Sequence, residues 1–381
     1  MLDSAAEDEA LLDFWPQSSR LTTALGENRA EPRQYTLPGI KYEFQCESIP
    51  DQAMSNISRI SNTTENLVIL EALKNLIKDG HFEITLWKSS EVLTKRGHGM
   101  GTLGISRKIS TFVYKFWSLR FQMMWAMKKY LEIADEIAPF EELDAPDLFY
   151  EYVKEAGRKG SMVPFAIRMI HAEILRMTPF PWKSIERIQR LEENIEKIIN
   201  EMSSASNTKG FELWKRRQQA VLTLKLRTLH HLEEYANAVQ VGRQMVENSK
   251  SNEEKAEILR GIVRIAMTVG DEKTLESALS ETAPLSQKHL LLHKAYRAIF
   301  HGSFAHAIDY LQKAVDGGDT SPQVINTLAV CHLYNGAPSI GVQKLLETQG
   351  GVSETMKTNV ISLSEVSYSA KDKAALLARI H

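Results

Sequence analysis

Between Lys288 and Leu345 the chain repeats itself with a shift of about 34 residues. Leu291, Ala295, Ala307 and Leu311 find counterparts in Ile325, Ala329, Gly341 and Leu345. Phe304 and Ala314 complete the first copy, and His301-Gly302 marks a turn between its halves. Within each half these positions recur at helical spacing. Small residues are needed where two antiparallel helices approach closely, and large apolar ones where each helix fills the groove beside it. Such a hairpin leaves an apolar face open, so stacking makes the core and a curved surface stays free for partners. Weaker units precede this pair. Gly270-Asp271 marks the same turn with Leu275 and Leu279 after it. Before that come Tyr235, Ala238 and Met245, following a helix with Trp214, Leu222, Leu226 and Leu229. Asp79-Gly80-His81-Phe82 reads as an isolated unit near the start. Periodicity alone does not order hairpins, so an irregular helical bundle stays as the rival arrangement.

The length and helix-pair chemistry are those of tetratricopeptide repeats. The expected class is all-α: tetratricopeptide-like hairpins stacked into a right-handed α-solenoid, with an irregular N-terminal arm. Proline supports this division. Pro16, Pro32, Pro38 and Pro50 lie early, and none falls between Pro50 and Pro139. Proline removes a backbone donor and clashes inside helices. Three segments follow: an arm over 1–63, a helical region with a connector over 64–152, and the repeats over 153–381. In the arm, Asp13-Phe14-Trp15-Pro16 and Tyr35-Thr36-Leu37-Pro38-Gly39-Ile40 are apolar patches expected to dock on the chain's own body, with docking on a partner as the rival reading. Leu67, Leu70, Leu73, Leu76 and Ile77 make one helix face before Gly80 breaks it. Phe112, Phe116, Leu119, Met123, Met127 and Tyr130 predict a long aromatic helix buried on one broad face. Ile185, Ile188, Leu191, Ile195, Ile198 and Met202 stripe another, ended by a polar loop over 203–208.

Hydrophobic residues make up 43% of the 381, charged residues 25%, and the net charge is −2. That balance buries a core and gives no global steering toward nucleic acid or anionic membranes. No apolar run approaches the roughly 20 residues of a membrane span. The stretch Met1 to Ala10 is acidic and lacks the layout of a secretory signal. Two cysteines, Cys46 and Cys331, are too few for a disulfide framework or a zinc site. A reducing, cytoplasmic setting is expected.

Little points to chemistry. Gly99-Met100-Gly101-Thr102-Leu103-Gly104 matches a dinucleotide fingerprint in letters, but that chemistry needs a strand before the glycines. A helix ending near Lys95 precedes them, so a helix–helix loop is expected. Lys95, Arg96, Arg107 and Lys108 beside it read as a solvated basic loop, with anionic lipid or an acidic partner as the rival reading. His289 and His293 share a helix face but lack the glutamate and third ligand of a metal site. No nucleophile motif is present, and no catalytic, cofactor or metal residue is assigned. Tyr150, Tyr152 and Arg158 are candidate partner-binding anchors, since Tyr and Arg concentrate at binding hot spots. The plainer reading of that segment is a tight turn through Gly157 and Gly160, with Pro164 opening a helix.

One segment goes beyond a generic repeat. Pro139-Phe140, Leu143-Asp144, Pro146-Asp147-Leu148, Tyr150-Glu151-Tyr152 and Gly157-Arg158-Lys159-Gly160-Ser161-Met162-Val163-Pro164-Phe165 resemble the TRAPP (transport protein particle) subunit 12 family. Arg168-Met169-Ile170-His171-Ala172-Glu173 continues the likeness, and Gly261 to Asp271 and Asn326 to Cys331 look like that family's repeats. The resemblance covers most of 64–381. It departs at Pro338, where an aromatic is usual. It implies a non-catalytic scaffold subunit of a vesicle-tethering complex, acting in ER-to-Golgi transport and autophagy. Its partners would be other large complex-specific subunits, with an indirect link to a Rab GTPase through the complex core and no nucleic acid. The location implied is cytoplasmic, peripheral at the ER–Golgi intermediate and Golgi membranes through the complex. The rival is a repeat adaptor for short peptides, for which Lys294, Arg297 and Asn326 are the available clamp residues.

Overall fold

The computed structural model describes residues 9–27, 33–46, 48–106, 110–153, 158–285, 290–347 and 354–377. The chain divides into two compact units, 1–241 and 242–381. The boundaries expected at 63/64 and 152/153 both fall inside the first unit.

The first unit carries α1 (Glu9–Leu12), α2 (Ser19–Gly26), α3 (Asp51–Ser61), α4 (Asn66–Lys78), α5 (Phe82–Lys95) and α6 (Thr111–Ala126). It continues with α7 (Tyr130–Ile137), α8 (Tyr150–Val153), α9 (Phe165–Glu173), α10 (Trp182–Ser204), α11 (Thr208–His231) and α12 (Tyr235–Asn248), the last spanning the division. α6 is the centre, with α5, α7 and α9 packed on it. It is not buried on one face as expected: Tyr114, Phe116, Trp117, Phe121 and Met124 are buried all around it. Trp117 lies 5.4 Å from Phe121 and 5.7 Å from Phe140, ring centroid to centroid. The second pair meets edge to face, a geometry that adds to area burial. The helix also stops earlier than its apolar pattern, because Lys128 takes a left-handed φ of 59° and the chain restarts at Tyr130.

The arm is less irregular than its prolines suggest. Pro50 stands just before α3, where a missing N–H costs nothing. Ala53, Ile57 and Ile60 then form a buried stripe of that helix, which packs on α4. α10 buries the expected stripe, Ile188, Leu191, Ile195, Ile198 and Met202, and packs on α11. Ser203 and Ser204, expected in a loop, continue α10.

The second unit is all hairpins: α13 (Asn252–Val269) with α14 (Glu272–Thr282), α15 (Leu290–Phe300) with α16 (Phe304–Asp316), and α17 (Pro322–Tyr334) with α18 (Pro338–Leu346). α19 (Glu354–Ser367) packs on α18, and α20 (Ala370–Leu377) follows. Gly270, Gly302 and Gly336 make the three hairpin turns with φ of 78°, 70° and 81°, a conformation glycine adopts without penalty. Ala295, Ala307, Leu311, Ala329 and Leu345 are fully buried, Ala314 and Gly341 are buried, and Leu291 and Phe304 are half-buried. Pro338 occupies the first turn of α18, which tolerates it.

Gly341 shows why small residues are needed here. A Cβ on it would stand 2.6 Å from the Ala329 carbonyl oxygen. Backbone is against backbone, so nothing flexible can yield. Gly261 lies inside α13 and a Cβ there meets nothing within 4 Å. Gly341→Ala should therefore lower stability by about 1–3 kcal/mol, while Gly261→Ala should raise it by about 0.5–1 kcal/mol. Urea unfolding of the two variants checks the opposite signs.

Candidate partner-binding surfaces

Tyr150, Tyr152 and Arg158 all converge on the chain's own N-terminal segment. The Asp13 carboxylate accepts from Tyr150 Oη at 2.6 Å and from Arg158 Nη2 at 2.7 Å. Ser161 N donates to Asp13 O at 2.9 Å, and Gly160, with φ of 98°, leaves no room there for a side chain. Tyr152 Oη accepts from Arg33 N at 2.9 Å. Tyr150 is fully buried and Tyr152 nearly so. In this arrangement the two tyrosines hold the chain's own segment and offer no open surface to a partner. Burial raises both the Asp13 carboxyl and the Tyr150 phenol above their ordinary ranges. Trp15 lies next, with the Arg168 guanidinium 3.8 Å from its ring centroid. Arg168 is buried, has no carboxylate partner among the described residues and donates to Ser161 Oγ at 2.6 Å. Burial, with Arg217 nearby, pushes it down to about 9.

Residues 33–46 form no regular structure, and side chains take up their backbone groups. Asp147 Oδ2 accepts from Tyr35 N, Thr36 N and Thr36 Oγ1 at 3.0, 2.8 and 2.8 Å. Glu136 Oε1 accepts from Lys41 N and Tyr42 N at 2.9 and 3.0 Å. Arg120 Nε donates to Glu136 Oε2 at 2.7 Å, and Arg120 Nη2 to the Tyr42 carbonyl at 2.7 Å. Neither member of that pair is exposed at all.

The glycine loop belongs to the same segment. Ile40 N donates to His98 O at 3.0 Å and Gly104 N to Leu37 O at 3.2 Å. A Cβ on Gly39 would stand 2.6 Å from Leu103 N. The loop follows helix α5, as expected, and serves as a socket for Leu37–Ile40. Lys95 pairs with Glu91 at 2.8 Å, and Arg96 packs over Phe116. Arg107, Lys108, Gly157 and His289 lie outside the described residues. No group of His, Cys, Asp and Glu among the described residues could hold a metal ion, and no helix among them is long and apolar enough to cross a membrane.

An open concavity lies in the second unit. The first helices of three hairpins, α13, α15 and α17, line a groove of about 430 Å³. Its floor is mixed: Tyr296 and Ile299 from α15, side-chain amides of Gln323 and Asn326 from α17, and Arg264 from α13. Phe304 and Tyr334 stack at 5.0 Å at its edge, with Tyr334 65% exposed. Burial pushes the Cys331 thiol up to about 11, so it is a neutral wall here and not a nucleophile. The clamp residues do not assemble. Arg297 is paired with Glu276, Lys294 lies over the Tyr310 ring, and only Asn326 reaches the groove. Sequence reading missed Arg264 and Tyr296, although they sit about one repeat length before groove residues of the next hairpins.

No family model matches the chain. Mouse trafficking protein particle complex subunit 12 is 26% identical over 335 residues, covering 79% of this chain and 41% of the mouse protein. Its human counterpart is 24% identical over 383 residues, covering 91% of this chain and 52% of the human one. The chain is subunit-12-like and helical-repeat in build. It spans about half the length of these curated relatives, or less. Among solved structures, a Pyrococcus horikoshii signal-transduction ATPase with a tetratricopeptide repeat sensor aligns at TM-score 0.30 and 10% identity, covering 88% of this chain and 52% of that one. The tetratricopeptide-repeat domain of P58(IPK) aligns at 0.19 and 11%, covering 82% and 96%. Scores this low add nothing to the fold described above.

Two outcomes follow for this subunit-12-like chain. Arg120→Met strands the Glu136 charge in the core and should cost about 3–5 kcal/mol. Hydrogen exchange at Lys41 and Tyr42 should accelerate first. His171 gives a pH signature. Its Nε2 donates to Glu141 O at 2.8 Å, and burial together with Arg187 pushes it down to about 3. Below about 6.5 the unfolded chain takes up a proton that the folded imidazole refuses, so stability is lost as pH falls from about 6.5 toward about 3. His171→Gln, which can keep the donated bond, should flatten that acid slope in melting curves.

Proposed function

We propose that this chain is a non-catalytic scaffold subunit of a TRAPP-type vesicle-tethering complex, joining complex-specific subunits by protein–protein contacts. The observation that carries this reading is the similarity to two subunit 12 proteins, which runs over most of the chain rather than over one repeat. The fold agrees with it: stacked hairpins with an open groove present surface, and the glycine fingerprint is filled by the chain's own backbone. The process would be ER-to-Golgi transport and autophagy, at ER–Golgi intermediate and Golgi membranes reached from the cytoplasm through the complex. Any effect on a Rab GTPase would pass through the complex core.

Affinity purification of the tagged chain from cells, followed by quantitative mass spectrometry, tests this. Other TRAPP subunits should co-elute in near-equal amounts, and nucleotide exchange on a Rab GTPase should be absent from the chain alone. Dominance by chaperones, with no TRAPP subunit present, would favour the peptide-adaptor reading instead.

A further inference from the structure

We propose that a hollow between α9 and α10 binds a phosphate group, with Arg168, Arg187 and Arg190 as its cations. The site goes beyond the scaffold reading and stands without it.

Helical spacing brings the cations together. Arg168 and His171 stand one turn apart on α9, and Arg187 and Arg190 one turn apart on α10, so each pair shares a helix face. The two helices pack on each other, and all four side chains line one hollow of about 50 Å³, with Trp15 and Leu143 as apolar walls. That is room for a few waters, and so for one tetrahedral oxyanion. It is far below the roughly 300 Å³ or more that a nucleotide-sized ligand fills.

Charge in the hollow is out of balance. Among the described residues lining it, Glu142 is the one carboxylate against three guanidiniums. Glu142 accepts from Arg187 Nη2 at 2.6 Å and Nε at 3.2 Å, and from Arg190 Nη1 at 3.2 Å. Arg168 has no share in it. Its guanidinium is 5% exposed and donates to two neutral acceptors, Ser161 Oγ and, at 3.4 Å, the Leu143 carbonyl. At about 9 it still carries its charge at neutral pH, while burial and Arg187 keep the His171 imidazole uncharged. A buried guanidinium without a counter-ion is costly, and an anion in the adjoining hollow offsets that cost.

Glu142 shows what the hollow accepts: an oxyanion bridging two guanidiniums. It sits on a turn that is strained on both sides, with φ of 52° at Glu141 and 60° at Leu143. His171 Nε2 and Arg168 Nη1 donate to the carbonyls of those two residues, so the side chains lining the hollow also hold the turn. Strain of this kind collects at ligand clamps. A phosphate brings more charge and more acceptor oxygens than one carboxylate, and so can serve Arg168 together with Arg187 and Arg190. Glu142 then swings toward solvent, where its side chain is already 43% exposed.

Two arms test the site on the full chain. The first is isothermal titration calorimetry with inorganic phosphate, at an ionic strength held constant with chloride. The second is co-sedimentation with phosphatidylcholine vesicles, with and without phosphatidylinositol phosphate, since a lipid headgroup carries the same chemical group. Phosphate should bind saturably at one site. Arg190→Gln, whose side chain is 60% exposed in the native protein, should weaken binding about tenfold or more. Glu142→Gln removes the competing carboxylate and should strengthen it about fivefold or more. Melting curves check that both variants fold. Saturable binding in the first arm with no vesicle preference makes free phosphate the ligand. Capture by the phosphoinositide vesicles that is lost in Arg190→Gln makes it the headgroup. No saturable binding in either arm, or binding indifferent to either substitution, would overturn the proposal.

Discussion

Arg120 and Glu136 form an ion pair from which both side chains are wholly excluded from water. Two bare charges in a core would cost more than their attraction returns, so the pair is tolerable only with every remaining donor and acceptor used. Here they are used. Arg120 reaches Ser90 on α5 and the Tyr42 carbonyl, while Glu136 on α7 takes the Lys41 and Tyr42 amides. One pair thus ties α5, α6 and α7 to a segment with no helix or strand of its own. Asp147 repeats the device at Tyr35 and Thr36. Buried carboxylates do for this segment what a neighbouring strand does in a sheet: they accept from its amides and fix its register.

This explains what could be read from the sequence and what could not. The hairpins of the second unit were legible because their packing is local and periodic. Ala295 and Ala329, or Ala307 and Gly341, stand at one helical crossing per hairpin, so the same demand for a small residue returns each time. The docking of Asp13–Pro16 and Tyr35–Ile40 on the chain's own body was legible as a tendency, since aromatic residues among polar ones need cover. Its means was not. Glu136, Asp147, Arg120 and Arg168 look like surface residues in letters, because charge in a sequence carries no mark of burial. α6 was misjudged for the converse reason. Its pattern leaves room for Ser118 and Arg120 on a polar side, yet the segment packed there closes that side as well.

The candidate anchors illustrate the same limit. Tyr150, Tyr152 and Arg158 have the residue types of a binding hot spot, and they do bind, but to Asp13 and Arg33 of the same chain. Residue type alone cannot separate an interface with a partner from one inside a fold, since the chemistry is shared. Arg264 and Tyr296 drew no notice because a lone arginine and a lone tyrosine on different helices form no motif. Only the stacking of α13, α15 and α17 brings them to one wall. The glycine loop was assigned correctly to a helix–helix connection, and the close approach of Gly39 to Leu103 gives it a steric reason as well.

The two units differ in whether their concave surfaces are already spoken for. In the first, Asp13, Trp15 and residues 33–46 fill hollows, and the charges lining them are neutralised or hydrogen-bonded from within. In the second, a groove of similar making, with aromatic walls, a guanidinium and side-chain amides, has no such segment laid in it among the described residues. In the first unit Asp13 and Trp15 stand two positions apart just after α1, the carboxylate on Arg158 and the indole on Arg168. An acidic residue followed closely by a large apolar one satisfies a cationic, aromatic hollow inside this chain.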